Sequence, residues 1–228
     1  MILESPGDQG GRALSRGFRM KRELDKWSLV LLGQWNTAIL SPDWLAKEVF
    51  KQDQVRIMYP VLGGARPIFE AADMRVVVSR ERVVFAPLKD DEQLLTRIEE
   101  AAGHLLKTLR YTPISAFGQN FRYTEEALPT QLAGVLDFAD EEGLDKQGTV
   151  TEVALRRSLD INGSRLNLTI TSGEAFGIEL NYHYEVTKAE EAASLMEDTY
   201  VKNRDQGLAL LKAVYDLTLD EEQPHDNE

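Results

Sequence analysis

A pattern of strands followed by a long amphipathic helix occurs twice in this chain, and it constrains the fold more than any other sequence feature. Residues 74–86 are rich in valine and predict a β-hairpin, and residues 91–110 carry apolar residues at helical spacing. Residues 150–186 predict three strands, and residues 188–217 predict a second, longer helix. Because such helices bury one apolar side, the pattern predicts an α+β fold with helices packed on a face of one or two antiparallel sheets.

The second repeat of this pattern gives the clearest strand signal. Apolar and polar residues alternate through all three predicted strands, which is typical of an antiparallel sheet with one buried face. Asn162-Gly163 predicts the first turn, since both residues tolerate positive φ angles. Thr187 and Glu190 form a capping-box pattern at the start of the last helix.

The predicted order of the first repeat is less regular. A strand at 27–40 precedes a short helix that Ser41 caps, and Pro42 suits the first position of that helix. A further strand is predicted at 54–61. A strand at 68–79 then pairs with one at 82–86, and the helix at 91–110 leads into a strand at 114–123.

Five segments follow from these patterns and from local composition. Scattered glycines and arginines without apolar periodicity indicate a disordered start, and clustered acidic residues mark the connector and the end. The predicted segments are a disordered N-terminal tail at 1–26, a first cassette at 27–124, an acidic helical connector at 125–149, a second cassette at 150–218 and an acidic tail at 219–228.

Charge and cysteine content exclude several classes of function. The net charge of -12 disfavours direct nucleic-acid binding, because phosphate contacts need clustered lysine and arginine. The chain has no cysteine, which excludes disulfides, thiolate catalysis and cysteine-ligated metals and fits a reducing compartment. No apolar run reaches the roughly 18 residues of a transmembrane helix. We therefore expect a cytoplasmic protein that does not interact with membranes.

One group of polar residues is a candidate site. By alternation, His183 shares the outer face of the last strand with Glu179, Asn181 and Glu185, and the neighbouring strands contribute Arg156 and Arg165. A histidine between carboxylates has the groups of a general base or a metal ligand. The alternative is a polar sheet face that is wetted by solvent or covered by a partner, which is routine in such sheets.

No motif indicates catalysis or a cofactor. Gly63-Gly64 lacks the Lys-Ser/Thr of a phosphate loop, no Gly-x-Ser-x-Gly occurs, and no two histidines have metal-ligand spacing. The sequence thus predicts no catalytic residue, no cofactor and no metal. Trp27, Trp35 and Trp44 lie close together in sequence and are either core residues or exposed anchors for a partner.

Three functional hypotheses remain open at this point. The first is a non-enzymatic interaction or assembly protein that works as an oligomer or as a subunit of a larger bacterial complex. The second is a small-molecule-binding or hydrolytic domain with a cavity between sheet and helix near His183. The third is an acidic inhibitor or antitoxin-like protein that masks a basic nucleic-acid-binding site.

Overall fold

A computed structural model describes residues 19–59, 66–126 and 128–219 of the chain. The strands before residue 92 are three to six residues long, and the four strands between residues 114 and 185 are nine to twelve residues long. The strands are β1 Arg19–Arg22, β2 Ser28–Gly33, β3 Arg56–Met58, β4 Ile68–Ala71, β5 Met74–Val78, β6 Arg82–Pro87, β7 Ile114–Glu125, β8 Val153–Ile161, β9 Ser164–Ser172, β10 Phe176–Glu185 and β11 Thr218–Leu219. The α-helices are α1 Pro42–Trp44, α2 Glu92–Thr108, α3 Thr130–Ala133, α4 Glu141–Asp145, α5 Ala189–Met196 and α6 Tyr200–Tyr215. A 3₁₀ turn spans Leu24–Lys26, and a π-helical segment spans Leu45–Phe50.

One sheet contains all eleven strands, in the order β3-β4-β5-β6-β2-β7-β10-β9-β8. All neighbours along this path are antiparallel. Strand β1 adds to β7 antiparallel and to β11 in parallel. The predicted α+β class with an antiparallel sheet is therefore confirmed.

The core lies between one face of this sheet and the helices. Alternate residues of β7 and β10, including Phe121, Tyr123 and Tyr182, are fully buried on that face. Helix α2 packs against β2 and β6, and α5 and α6 pack against β7. The apolar stripe of α2 and the buried residues of α5 belong to the same core cluster. No helix among the described residues is long and apolar enough to cross a membrane.

The prediction of a disordered tail through residue 26 is wrong for its last eight residues. Met20 in β1 is 1% exposed, and the backbone of β1 pairs with both β7 and β11. Arg22 forms an ion pair with Asp90, which also lies 3.8 Å from Arg204 of α6. The short polar sequence of β1 hides this role because its order comes from strand partners far along the chain. Residues 1–18, and residues 220–228 of the predicted acidic tail, lie outside the described part.

Two predicted strands in the first half are shorter than expected. Strand β2 ends at Gly33, where the pairing register with β7 shifts. A Cβ atom at Gly33 would lie 2.4 Å from the carbonyl oxygen of Pro113, so a larger residue does not fit there. Strand β3 covers only Arg56–Met58 of the predicted 54–61, of which residues 60 and 61 lie outside the description.

The strand predicted at 68–79 is two strands joined by a tight turn. Ala72 and Asp73 both have positive φ angles, 50° and 62°, and reverse the chain between β4 and β5. Neither residue is glycine, so the sequence carries no strong turn signal at this point. The predicted turn at Asn162-Gly163 is present, with φ angles of 49° and 80°.

The helix predicted at 188–217 is two helices, α5 and α6. The break contains Asp198, whose φ angle is 58°. Glu99 of α2 accepts hydrogen bonds from the backbone N–H groups that open α6, so a distant side chain stabilises the break. The capping box predicted from Thr187 and Glu190 uses the next glutamate instead, because the N–H of Thr187 donates to Glu191 at 3.0 Å.

Candidate functional site

The sheet face opposite the helices is uncovered in the described part of the chain. Apart from Ala116, which is 4% exposed, side chains on this face are half-buried or exposed. The apolar ones on β2, β5 and β6 are absent from the core cluster. We call this surface the open face. All six residues of the predicted polar site lie on it: Arg156, Arg165, Glu179, Asn181, His183 and Glu185.

A chain of side-chain hydrogen bonds crosses five strands of the open face. Ser158 donates to Asn167 (2.7 Å), and Asn167 donates to Asn181 (3.0 Å). Asn181 then donates to Asn120 (2.6 Å), which donates to Ser28 (3.0 Å). These residues are direct neighbours in the strand register. We call this row, from β8 to β2, the Asn ladder.

The Asn ladder presents regularly spaced hydrogen-bonding groups. Each amide has two N–H donors and an oxygen with two lone pairs, and the ladder uses one donor and one acceptor of each. All donors point the same way along the row, so the bonds polarise one another. The remaining donors and acceptors are available to a partner group above the sheet.

The rows on either side of the Asn ladder carry charge. One row contains Arg156, Glu179 and Arg122, which are linked through Thr169 in the strand register. The other row contains Arg165, which lies 3.8 Å from Asp160 in the same row and 4.0 Å from Glu185, one pleat further along β10. These ion pairs are loose and solvent-exposed, so they contribute little to stability and leave the charges accessible.

The geometry around His183 separates it from the carboxylates. At a rise of about 3.3 Å per residue, the Cα atoms of Glu185 and Glu179 lie about 7 Å and about 13 Å from the Cα atom of His183 along β10. Among the described residues, the His183 ring makes no hydrogen bond to another side chain. His183 also lies on the sheet face away from the helices, because its neighbours Tyr182 and Tyr184 point into the core. A ligand bound by His183 would therefore lie on the open face and not in a cavity between sheet and helix.

The row through His183 becomes apolar on the other half of the sheet. It continues in register through Gly118 and ends in four half-buried aliphatic side chains: Val30, Val84, Val77 and Ile68. We call these four residues the apolar row. The open face thus combines a polar half with an apolar half.

Two of the three tryptophans that the sequence offered as exposed anchors for a partner are buried in the core. Trp27 is fully buried and packs edge-on against Phe121 at 5.2 Å between ring centroids, and Trp35 is 4% exposed. The Trp27 indole N–H donates to the carbonyl of Arg122 at 2.9 Å. Trp27 and Trp35 are therefore core residues, and of the three only Trp44 keeps partial exposure.

A second polar cluster, which the sequence did not indicate, lies on the helical side. His104 of α2 contacts Glu48 of the π-helical segment at 3.0 Å, and Lys51 and Thr108 lie within 3.4 Å of the same ring nitrogen. The hydrogen bond from His104 holds the pKa of Glu48 below its ordinary value. The contact joins residues 56 positions apart, so no local spacing could have revealed it.

Grooves run along both sides of His104. One groove of about 430 Å³ lies between α2 and α5, and another of about 360 Å³ lies between α2 and the π-helical segment. A third, of about 440 Å³, continues the first along α6. Acidic residues dominate the joined first and third grooves: Glu92, Glu99, Glu100, Glu197, Asp198 and Asp205. We call these two together the acidic groove.

Two buried polar side chains beneath α6, Asn203 and Gln119, have hydrogen-bond partners. Asn203 donates to Gln119 at 2.7 Å and to the hydroxyl of Tyr184 at 2.8 Å, and Gln119 donates to Thr199 at 2.8 Å. Burial raises the pKa of Tyr123 well above its ordinary value, and the same cause acts on Tyr182 and Tyr200. These phenols therefore stay neutral and pack as core residues.

Comparison with known proteins gives no relative for this architecture. No protein-family model matches the chain, and no match was found among curated proteins or among solved structures. Within residues 19–59, 66–126 and 128–219, no group of three or more histidine, aspartate and glutamate side chains is arranged to hold a metal ion.

Proposed function

We propose that this chain is a non-enzymatic interaction or assembly protein of the cytoplasm, which binds a partner protein through its open face. The observation that carries the proposal is the pairing of the Asn ladder with the apolar row on one uncovered surface. Aliphatic contacts supply affinity when water is removed, and the unused amide groups fix the orientation of the partner.

The chemistry of the open face also indicates the kind of partner. Surface charges of both signs surround the Asn ladder, with Arg156 and Arg165 near Glu179 and Glu185. A folded protein surface with mixed charge and an exposed aliphatic patch complements this arrangement. A polyanion such as nucleic acid would meet the carboxylates and the overall charge of -12.

We also propose that the fold consists of two cassettes, residues 27–124 and 150–218. In each segment, antiparallel strands are followed by helices, and α2, α5 and α6 all pack on the same side of the sheet. Joining the cassettes edge to edge produces an open face wider than either would have alone. Such a surface suits a subunit of a larger complex.

A second candidate function is supported by the acidic groove. Six carboxylates line it, whereas Lys107 and Lys202 are its basic residues besides His104. A basic segment of another protein would be attracted to this groove, as the acidic-inhibitor hypothesis requires. Binding there should weaken steeply as salt rises, because exposed charges are screened.

One experiment tests the proposal and compares the two candidates. Tagged full-length chain is compared with an open-face variant, Glu179→Lys with Glu185→Lys, and a groove variant, Glu100→Lys with Glu197→Lys. All four side chains are exposed, and the two variants change the net charge equally, so each is the control for the other. Proteins retained from native lysate at low and high salt are quantified by mass spectrometry.

We expect a stoichiometric protein that the open-face variant loses at least tenfold and the groove variant retains. Loss with the groove variant alone, together with elution at high salt, would instead support the acidic-inhibitor function. Equal retention by all three chains, or no stoichiometric partner, would refute the proposal.

A further inference from the structure

Strand β8 is an unpaired edge of the sheet. It is nine residues long, contains no proline, and pairs with β9 without any shift in register. Among the described elements it has no strand on its other side. An edge of this length and regularity exposes a row of backbone N–H and C=O groups that another strand can bind.

The hairpin turn determines which backbone groups face outward. Positive φ angles at Asn162 and Gly163 define a two-residue turn, in which the carbonyl of Ile161 accepts from the N–H of Ser164. Bonding direction alternates along an antiparallel strand, so the odd-numbered residues of β8 bond to β9. The even-numbered residues Ala154, Arg156, Ser158 and Asp160 therefore direct their backbone groups away from the sheet.

The outward residues are complementary to themselves in one antiparallel register. With Ser158 opposite Ser158 of a second copy, Arg156 lies opposite Asp160 of that copy, and the reciprocal pair forms by symmetry. On the helical side, half-buried Leu155 then lies opposite Ile161. Every opposed pair of charges is attractive, and about six backbone hydrogen bonds form.

Two neighbouring registers also match the backbone groups, and both lack this complementarity. Centring the pair on Leu159 would place Ser158 opposite Asp160 and leave Arg156 without an opposing carboxylate. Centring the pair on Arg157 would place two arginines opposite each other and would put Asp160 opposite Ala154. Like charges directly opposite each other destabilise a strand pair. The sequence of β8 thus selects the register centred on Ser158.

We propose that the chain forms a two-fold symmetric dimer by antiparallel pairing of β8 with β8 of a second copy, with Ser158 on the symmetry axis. This inference rests on the proposed assembly function and names one interface of that assembly. Ser158 is also the first residue of the Asn ladder, so the two ladders meet at the axis. The two open faces become one continuous surface, and the dimer presents two equivalent partner sites.

Charge reversal tests both the interface and its register. Light scattering of the full-length chain should give twice the chain mass of 25.7 kDa. Arg156→Asp alone and Asp160→Arg alone each create two repulsive pairs and should raise the dimer Kd by about tenfold or more. The double variant restores both attractive pairs and should return the Kd close to the wild-type value. Thermal unfolding checks that each variant is folded.

A cysteine cross-link gives an independent test, since the natural chain has no cysteine. Directly opposed residues that exchange hydrogen bonds have Cα atoms about 5.5 Å apart, which a disulfide can span. Ser158→Cys should therefore form a covalent dimer on mild oxidation. Thr169→Cys, on β9 of the same face, is the matched control and should form no covalent dimer.

The outcomes separate this inference from the proposed function. A wild-type chain that is monomeric, or a double variant that fails to restore dimerisation, would overturn the β8 interface even if the open face still binds its partner. A dimer that Ser158→Cys cross-links supports the interface even if the pull-down finds no partner for the open face.

Discussion

The carboxylate of Glu99 holds the first turn of α6 from outside the helix, and its removal is the most informative stability test. It accepts from the backbone N–H groups of Asp198 (2.6 Å), Thr199 (2.9 Å) and Tyr200 (2.6 Å). These donors have no partner within α6, although the N–H of Thr199 also donates to the carbonyl of Met196 at 3.1 Å. The positive end of the helix dipole lies at the same place. Glu99→Ala removes all three bonds at once.

The expected cost follows from these contacts. Loss of an N-terminal cap costs about 1–2 kcal/mol, and one hydrogen bond to a charged group contributes about 1.5–3 kcal/mol. Desolvation of the half-buried carboxylate offsets part of this gain. We therefore expect Glu99→Ala to lower the free energy of unfolding by about 2–3 kcal/mol, and Glu99→Gln by about 1 kcal/mol, since an amide oxygen still accepts.

Urea denaturation measures these differences, and Glu100→Ala is the control. Glu100 neighbours Glu99 on α2 but is exposed and forms no hydrogen bond or ion pair among the described residues, so its removal should cost less than about 0.5 kcal/mol. Hydrogen exchange should accelerate at Thr199 and Tyr200 in Glu99→Ala. Equal stability of the Glu99→Ala and Glu100→Ala chains would refute the capping role.

The pKa of Glu99 determines how its contribution to the stability of the fold changes with pH. Burial raises the pKa of Glu99, although the three backbone N–H groups act in the opposite direction. The folded chain then takes up this proton at higher pH than the unfolded chain does. The stability of wild type relative to Glu99→Gln should be highest below about pH 4.3 and should fall as the pH rises through the folded-state pKa.

Three further predictions concern other parts of the fold. Ala72→Gly should raise the free energy of unfolding by about 1 kcal/mol, because the φ angle of 50° is strained for alanine, and an unchanged urea midpoint would contradict this. Gly207→Ala should lower the free energy of unfolding by about 1–3 kcal/mol, although alanine has the better helix propensity, because its Cβ would lie 2.5 Å from Cδ1 of Leu180. A more stable variant would show that this contact relaxes freely. The hydrogen bond between His104 and Glu48 should stabilise the fold above about pH 4.3, and this stabilisation should be lost as the pH falls through the lowered pKa of Glu48. A Glu48→Gln chain with the same acid-unfolding profile as wild type would exclude this contribution.

Local patterns in the sequence predicted those parts of the fold that are determined by interactions between residues close together in the chain. The helix at 91–110 is present as α2, because its apolar residues recur at the helical period and Asp91 caps it by accepting from the N–H of Leu94 at 2.8 Å. The hairpin at Asn162-Gly163 follows from backbone tolerance of positive φ. Alternation along β10 placed His183 and its polar neighbours on one face.

The features that were missed depend on contacts between distant segments. Strand β1 is ordered by β7 and β11, and the break before α6 is stabilised by Glu99, about 100 residues earlier. The Asn ladder needs the register of five strands, which alternation within one strand does not supply. The contact of His104 with Glu48 likewise joins two separate elements.

Photo-cross-linking reports which surface of the chain touches the partner. A photoreactive amino acid is placed at Glu179 on the open face or, as the control, at Val214, which is 60% exposed on α6. We expect the protein retained from lysate to cross-link from position 179 and not from position 214. Cross-linking from position 214 alone would contradict the assignment of the open face as the partner-binding surface.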